Sequence, residues 1–221
     1  MIDRPPLGAV IFDLDGLLVD SEPLAAKAME GFLAGFGVAV DPAIQAQMLG
    51  RRLPDAISIA RQRYGLPGTL QELADGYSNA RMAALRGSVQ PMPGAAEILA
   101  WVRRSGLPVA LATSGMRSHA DLSLSETGLG GCFDVEVTGD QVEHGKPAPD
   151  LFLLAAERLG VEPRESVVLE DSPLGVEAAI AAGMRVIAVQ NGRATMPHFK
   201  VDPTISVSTL SDAQNWLKTQ L

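Results

Sequence analysis

The chain has 221 residues, of which 47% are hydrophobic and 20% are charged, which allows one sizeable core or a core with a smaller second domain. The formal net charge of −8 disfavours binding to nucleic acid or to an anionic membrane, and no apolar run is long enough to span a bilayer. A single cysteine, Cys132, excludes an internal disulfide and is expected to be a small, partly buried residue. The N-terminus, Met1 to Pro6, lacks a signal-peptide pattern, so we expect a cytoplasmic protein.

The first predicted elements are one buried strand and then helices only. The strand covers about residues 9–13, and a helix start follows at Ser21-Glu22-Pro23, where the serine hydroxyl is expected to cap the helix. Helical patterns then cover about 23–36, 43–48, 53–64 and 69–86. No strand pattern interrupts them, so we predict an inserted all-helical domain over 21–90.

From Pro91 onward, strands and helices alternate. The strands are expected at about 108–112, 135–138, 167–169, 186–189 and, more weakly, 205–207. The helices are expected at about 95–104, 117–126, 150–159, 174–182 and 211–218. This alternation is typical of a parallel sheet with helices on both faces. We therefore predict an α/β fold with a Rossmann-like core formed by residues 1–20 and 91–221.

Two acids follow the first strand. Because strand side chains alternate, Asp13 and Asp15 are expected to leave the strand end on the same side. Buried carboxylates are costly and repel each other, so such a pair usually binds a cation or exchanges a proton. The simpler alternative is a strand end followed by an Asp-rich turn.

Further polar residues follow the next three strands, at the sheet edge where ligands of open α/β sheets bind. They are Thr113, Ser114 and Gly115 after the second strand, Lys146 in the loop after the third, and Glu170 and Asp171 after the fourth. Acids at two strand ends favour Mg²⁺, which commonly engages phosphate. Thr113 and Lys146 can contact phosphate oxygens, and the backbone amides of Gly16 and Ser114 are candidate donors.

Each of these features also has a simpler interpretation. The pair at 113–114 could only cap a helix, Lys146 could be a solvated loop lysine, and the acids at 170–171 could cap the helix near Pro173. Their joint occurrence at successive strand ends favours a functional site.

In chain order, four segments resemble the motifs of the haloacid dehalogenase (HAD) superfamily: Phe12-Asp13-Leu14-Asp15-Gly16, Thr113, Gly145-Lys146-Pro147 and Leu169-Glu170-Asp171-Ser172. The longer strings IFDLDGLLVDSEPL, GKPAPDLF and LEDSPLGVEAAIAAGM are similar to the β-phosphoglucomutase-like branch, which consists mostly of sugar-phosphate phosphatases and mutases. That branch carries a helical cap after the first strand, which is where the segment 21–90 lies.

The resemblance implies a role for each strand-end residue. Asp13 would be the nucleophile that forms an aspartyl-phosphate, and Asp15 would act as general acid and then as general base. Mg²⁺ would be held by the Asp13 carboxylate, the Asp15 main-chain carbonyl and Asp171, with Glu170 bound directly or through water. Thr113 and Lys146 would hold the phosphoryl group, with Gly16, Ser114 and Gly115 beside it.

The same scaffold supports several reactions. Halide-cleaving and phosphonate-cleaving relatives lack an acid at the position of Asp15, which disfavours both reactions. A signalling receiver domain also groups aspartates, a hydroxyl and a lysine around Mg²⁺, but it is about half this length and has no helical insert.

A phosphosugar mutase is the remaining alternative. Mutases keep their phospho-enzyme from water with a cap histidine, and the matching position here is Ala25, with no histidine before His119. They also carry a Ser-Arg pair after a glycine, whereas Gly50 is followed by Arg51 and Arg52, which are candidates for contacting distal substrate groups or are solvated helix-start charges. Both departures favour plain hydrolysis. We therefore expect a Mg²⁺-dependent phosphatase for a small phosphorylated metabolite such as a sugar phosphate. No interface pattern is visible in the sequence, so a monomer is the default expectation.

Overall fold

The computed structural model of the chain describes residues 6–192 and 197–221, so the predictions made for residues 1–5 lie outside the described residues. Within those ranges, six strands form one parallel sheet in the order β3-β2-β1-β4-β5-β6. The strands are β1 Ala9–Phe12, β2 Val109–Ala112, β3 Val135–Val137, β4 Ser166–Glu170, β5 Arg185–Val189 and β6 Ile205–Val207. The helices are α1 Glu22–Ala34, α2 Pro42–Met48, α3 Leu53–Tyr64, α4 Leu70–Leu85, α5 Ala95–Arg104, α6 Arg117–Thr127, α7 Asp150–Leu159, α8 Pro173–Ala181 and α9 Leu210–Lys218. The predicted α/β class is confirmed.

The central strand β1 is buried on both faces, as expected for a parallel sheet covered by helices. Val10 and Phe12 pack into one apolar cluster, which includes buried residues of α5 and α9. Ile11 points the other way and packs into a second cluster with buried residues of α7 and α8. The sheet therefore separates two apolar layers, and its strand ends remain available for polar residues.

The strand register aligns the functional edge of the sheet. Phe12 of β1 lies opposite Leu111 of β2 and Leu169 of β4. The residues that follow these three positions therefore emerge at one level of the carboxyl edge. The amide of Asp13 continues this pattern, because it donates a hydrogen bond to the carbonyl of Leu169 at 3.1 Å.

The four helices α1–α4 lie between β1 and α5 in the chain and bury an apolar cluster of their own, which includes Leu33 and Ile57. Local signals explain the helix limits. Asp41 caps α2, Thr69 and Glu72 form a capping box at the start of α4, and α3 ends at Gly65, whose φ of +65° is left-handed.

The two chain crossings at the ends of this helical segment run side by side. The Asp20 amide donates to the carbonyl of Gln90, and the Met92 amide donates to the carbonyl of Leu18, both at 2.9 Å. The predicted division into a core and an inserted domain at residues 20 and 91 stays a prediction. None of the described helices is long and apolar enough to cross a bilayer.

One local prediction is wrong. Ser21 precedes α1, but its hydroxyl makes no capping hydrogen bond and its backbone is already close to helical. The hydroxyl instead donates to the Asp15 carboxylate at 2.5 Å. A partly buried carboxylate competes with the helix terminus for this donor, and sequence-based capping rules do not include that competition.

Candidate active site

A cavity of about 120 Å³ lies at the carboxyl edge of the sheet, between the strand ends and the helical segment. Most of the residues predicted from the sequence line it: Asp13, Asp15, Arg51, Thr113, Ser114, Gly115, Lys146, Glu170 and Asp171. Gly16 and Arg52 are not among the lining residues. The structure therefore brings the three acid-bearing and lysine-bearing motifs together, as the strand-end argument predicted.

Lys146 joins two of the acids below the cavity. Its Nζ donates to Oδ1 of Asp13 at 2.5 Å and to Oε1 of Glu170 at 2.6 Å. Lys146 is only 2% exposed, so the alternative of a solvated loop lysine is wrong. Burial opposes its charge, but the two carboxylates outweigh burial and raise the pKa of Lys146, which keeps the ammonium charged.

Three buried carboxylates lie near one another at this edge of the sheet. Burial raises the pKa of Asp13, and the nearby charges of Glu170 and Asp171 raise it further, while Lys146 opposes them. Asp13, Glu170 and Asp171 are each at most 6% exposed. Carboxylate oxygens are the donors that hard divalent ions prefer, so this donor set fits such an ion.

Glu170 points towards the start of α8. Its Oε2 accepts from the amides of Asp171 and Ser172 at 2.8 and 2.7 Å, and from the Ser172 hydroxyl at 3.0 Å. A β carbon on Gly175 would lie 1.7 Å from its Oε1, so only glycine leaves room for this carboxylate. The hydroxyl of Ser172 caps α8 by accepting from the Gly175 amide, so the alternative that the two acids serve as the cap is wrong.

The arrangement of Glu170 bears on the predicted metal site. Both of its oxygens already accept hydrogen bonds, and among the residues that the structure describes no group of three Asp, Glu, His or Cys side chains is arranged as a metal-binding cluster. Asp13 and Asp171 are 6% and 2% exposed and lie close enough to influence each other's charge. The predicted metal ligands Asp13, Asp15, Glu170 and Asp171 all line the cavity, and their role as ligands stays a prediction.

Asp15 lies on the side of the cavity formed by the helical segment. Its Oδ1 accepts from Ser21 and also from the Arg81 guanidinium, at 2.7 Å. Burial would raise the pKa of Asp15, but Arg81 and then the Ser21 hydroxyl outweigh it and lower the pKa below its usual value. Its Oδ2 lies near the turn after β2, because a β carbon on Gly115 would lie 3.5 Å from that oxygen.

Sequence reasoning missed Arg81 and His119. Arg81 follows the buried Tyr77 by four residues, so it lies on the buried stripe of α4, and a charged residue on such a stripe is a signal for a buried partner. His119 lines the cavity, is 2% exposed, and has its Nε2 2.9 Å from the Ser78 hydroxyl. Burial, followed by the charge of Arg81, lowers the pKa of His119 to about 4, so its imidazole is neutral at pH 7.

The residues after β2 form a turn rather than a helix cap. Thr113 is buried, and its Oγ1 accepts from the Gly115 amide at 3.0 Å. Helix α6 begins only at Arg117, so the cap alternative for residues 113–114 is wrong. The Ser114 hydroxyl donates to the carbonyl of Gly50 at 2.8 Å, which ties this turn to the helical segment.

Two predicted substrate contacts are not borne out by their positions. The Gly16 amide donates to the carbonyl of Val19 at 2.9 Å, so that amide is already used within its own turn. Arg52 pairs with Asp55 at 2.9 Å and donates to the carbonyl of Val142 at 2.8 Å. It therefore serves as a helix-start charge that joins α3 to the loop before Lys146.

Arg51, in contrast, lines the cavity, and its Nε donates to the Gln47 carbonyl at 2.8 Å. His144 is an exposed histidine whose Nδ1 lies 3.1 Å from Asp150. Cys132 is free and partly buried, as expected.

Comparison with known proteins agrees with this geometry. The sequence model of the family described as haloacid dehalogenase-like hydrolase matches residues 10–189, and the chain belongs to that family. It is 36% identical over 184 residues to fructose-1-phosphate phosphatase YqaB of Escherichia coli, covering 82% of this chain and 95% of that protein. It is 35% identical over 179 residues to a phosphorylated carbohydrates phosphatase of Thermotoga maritima, covering 81% and 83%.

A solved structure shows the same fold. The crystal structure of CbbY from Rhodobacter sphaeroides in complex with phosphate superposes with a TM-score of 0.83 at 26% identity, covering 93% of this chain and 96% of that one. The family and the phosphatase names of the relatives place the chain among the phosphoric monoester hydrolases.

Proposed function

We propose that the protein is a Mg²⁺-dependent phosphatase that hydrolyses a small phosphate monoester, in particular a sugar phosphate, through an aspartyl-phosphate. The observation that carries this proposal is the buried unit of Asp13, Lys146 and Glu170, which opens into a cavity at the carboxyl edge of the sheet. A carboxylate held by an ammonium in a poorly solvated position is suited to attack an anionic phosphorus centre.

In this proposal, Asp13 is the nucleophile and its negative charge is the main obstacle to the reaction. A phosphate monoester and a carboxylate repel each other, so nearby cations must offset that repulsion before attack. Lys146 supplies one fixed positive charge at the nucleophile. Thr113 lies at the next strand end and is placed to orient the phosphoryl group, since in-line transfer depends mainly on positioning and charge stabilisation.

The buried carboxylate oxygens at this edge support Mg²⁺ as the cofactor. Asp13, Asp171 and the main-chain carbonyl of Asp15 would hold it, and Glu170 would support the site from behind by keeping Lys146 in place. When bound, the ion supplies Lewis-acid polarisation of the phosphate oxygens.

Asp15 is the proposed general acid and then the general base. Ser21 and Arg81 both hold Oδ1, which leaves Oδ2 directed towards the turn that carries Thr113. An oxygen in that position can give a proton to the leaving alcohol and later take one from the attacking water. Arg81 would stabilise the carboxylate form that the second half-reaction requires.

The phosphatase names of the relatives and the cavity both favour a small substrate. A volume of about 120 Å³ is below the range of roughly 300–1,000 Å³ that is common for ligand pockets, which supports opening of the helical segment to admit substrate. Arg51 is the cavity-lining guanidinium proposed to contact the distal part of the substrate. The predictions of a cytoplasmic monomer without nucleic-acid or membrane partners stay predictions.

Substitution of the nucleophile tests the proposal. Asp13→Asn keeps the size of the side chain but removes the attacking oxygen charge, so phosphate release from a metabolite panel should fall at least about 10⁴-fold. Asp75→Asn, on the exposed face of α4, is the matched control and should leave activity unchanged. Retained activity in Asp13→Asn, or a phospho-adduct on another residue by intact-mass and peptide mapping, would contradict the assignment.

The mutase alternative is tested on the same preparation by phosphorus NMR with β-glucose 1-phosphate. Ala25 lines the cavity where a mutase would present its histidine, which supports hydrolysis. We expect free phosphate as the product. Accumulation of glucose 6-phosphate would identify a mutase, and a phospho-protein that persists for minutes would indicate a signalling role.

A further inference from the structure

The turn that carries Asp15 is anchored from the opposite side of the active-site edge. Within the turn, the amides of Leu18 and Val19 donate to the Leu14 carbonyl at 2.9 and 3.1 Å. The carbonyls of Gly16 and Leu17 instead accept hydrogen bonds from outside the turn. Both accept from the side-chain amide Nδ2 of Asn191, each at 2.8 Å.

Asn191 reaches this turn from the end of β5. In the sheet, β4 lies between β1 and β5, so these bonds join segments that follow two strands not adjacent to each other. Its own amide donates to the carbonyl of Ser208 at 3.0 Å, which fixes the backbone of Asn191 to the segment after β6. The turn after β1 is thereby connected to the far edge of the sheet.

The backbone of Asn191 adopts an uncommon conformation. Among the residues that the structure describes, it is the one residue other than glycine with a positive φ, at +56°. Asparagine tolerates this left-handed conformation better than most residues, but glycine would do so at lower cost. Asparagine at this position therefore supplies something that glycine lacks, namely the side-chain donor for the two carbonyls.

Resting on the proposed function, we propose that Asn191 is a positioning residue for Asp15, the general acid. The side chain of Asp15 is held by Ser21 and Arg81, which belong to the helical segment and its entry, whereas Asn191 holds the Asp15 turn from the sheet. If the helical segment opens, the bonds from the sheet persist. Asn191 then keeps the turn, and with it the Asp15 carboxylate, in register with the nucleophile.

Two variants separate the side-chain bond from the backbone conformation. Asn191→Gly keeps the left-handed backbone and removes the amide donor. Asn191→Asp keeps the side-chain size but directs carboxylate oxygens at the carbonyls of Gly16 and Leu17, which repels them. Both variants are expected to displace the Asp15 turn, and the aspartate variant should do so more strongly.

The measurement uses two substrates whose leaving groups differ in their need for a proton. An alcohol is a poor leaving group and depends on the general acid, whereas p-nitrophenolate leaves without protonation. The ratio kcat/KM reports steps through phosphoryl transfer to Asp13, so it isolates the acid role. For the sugar phosphate that the wild-type protein hydrolyses fastest, kcat/KM should fall at least about tenfold in both variants. For p-nitrophenyl phosphate it should change less than about twofold.

An equal loss of kcat/KM on both substrates would show a general defect of the active site. No loss on either substrate would show that the bonds from Asn191 are dispensable. Each of these results overturns the positioning role. Failure of both variants to fold, followed by circular dichroism and thermal unfolding, assigns Asn191 to stability alone and also overturns it. A wild-type protein that releases no phosphate from either compound contradicts the proposed function itself, and with it this inference.

Discussion

The two aspartates that follow β1 are held by different parts of the molecule. Asp13 is bonded by Lys146, and that lysine is held by Glu170, so this aspartate depends on loops of the sheet. The side chain of Asp15 is bonded by Ser21 and Arg81, at the entry of the helical segment and on α4. The comparison indicates that Asp13, the proposed nucleophile, is fixed by loops of the sheet, whereas Asp15, the proposed general acid, also depends on the helical segment.

Removing the cation on the Asp13 side should have the largest effect. Lys146→Met leaves the buried carboxylates of Asp13 and Glu170 without the ammonium that bonds them, so kcat/KM should fall at least about 10³-fold and the protein should lose roughly 3–5 kcal/mol of stability. Steady-state kinetics and urea unfolding measure both effects. Lys146→Arg, which keeps the charge, should recover much of the stability; no recovery would indicate that packing rather than charge is responsible.

Removing the cation on the Asp15 side should cost less. Arg81→Met removes one of two donors to Asp15 and leaves the Asp13 unit intact, so kcat/KM should fall roughly 10–100-fold. Arg61→Met, at an exposed position of α3, is the matched control. A loss as large as that of Lys146→Met would show that the two aspartates do not depend on separate supports.

The close packing of the Glu170 carboxylate against Gly175 can be tested through the stability of the protein. Gly175→Ala places a methyl group within 1.7 Å of the Glu170 carboxylate, so it should destabilise the protein by about 3 kcal/mol. Gly31→Ala is the matched control, because Gly31 is also helical and nothing lies within 4 Å of its added carbon. That change should stabilise by roughly 0.5–1 kcal/mol through helix propensity. Equal unfolding midpoints for the two variants would rule out the close packing.

A pH effect with a smaller expected size concerns His119, on the Asp15 side. Its folded-state pKa is about 4, against an ordinary value of 6.5, so between these values the unfolded chain binds more protons. Stability from this group is therefore complete above about pH 6.5 and is lost as the pH falls towards 4, by at most about 3 kcal/mol. Urea unfolding from pH 7 to 4.5 should show a shallower loss in His119→Gln than in the wild type. Parallel curves would contradict a buried neutral histidine.

The group of residues around Asp13 was predictable from the sequence because its members follow strands. Parallel strands bring their carboxyl ends to one edge, so Asp13, Lys146 and Asp171 could be grouped without knowing how any helix packs. The same argument predicted the sheet itself, since alternating apolar strands and helices admit few arrangements. It did not predict that Glu170 would turn towards α8, because that depends on the space left by Gly175.

The Asp15 side was not predictable in the same way. Arg81 and His119 lie on helices, and which face of a helix meets the cavity depends on tertiary packing rather than on local pattern. The sequence contains a signal for Arg81, because it is a charged residue on the buried stripe of α4. It contains no such signal for His119. The Ser21 hydroxyl was assigned to a helix cap because the carboxylate that competes for it lies six residues earlier in the chain.

The paired crossings at Asp20–Gln90 and Leu18–Met92 have a consequence for how such proteins diversify. Because the chain leaves and re-enters the sheet at adjacent points, the path of β1 and α5 does not depend on the length of what lies between them. Segments of other lengths could replace residues 21–90 at this junction without changing the order of the strands in the sheet. The strand ends and the helical segment that covers them can thus vary independently in sequence.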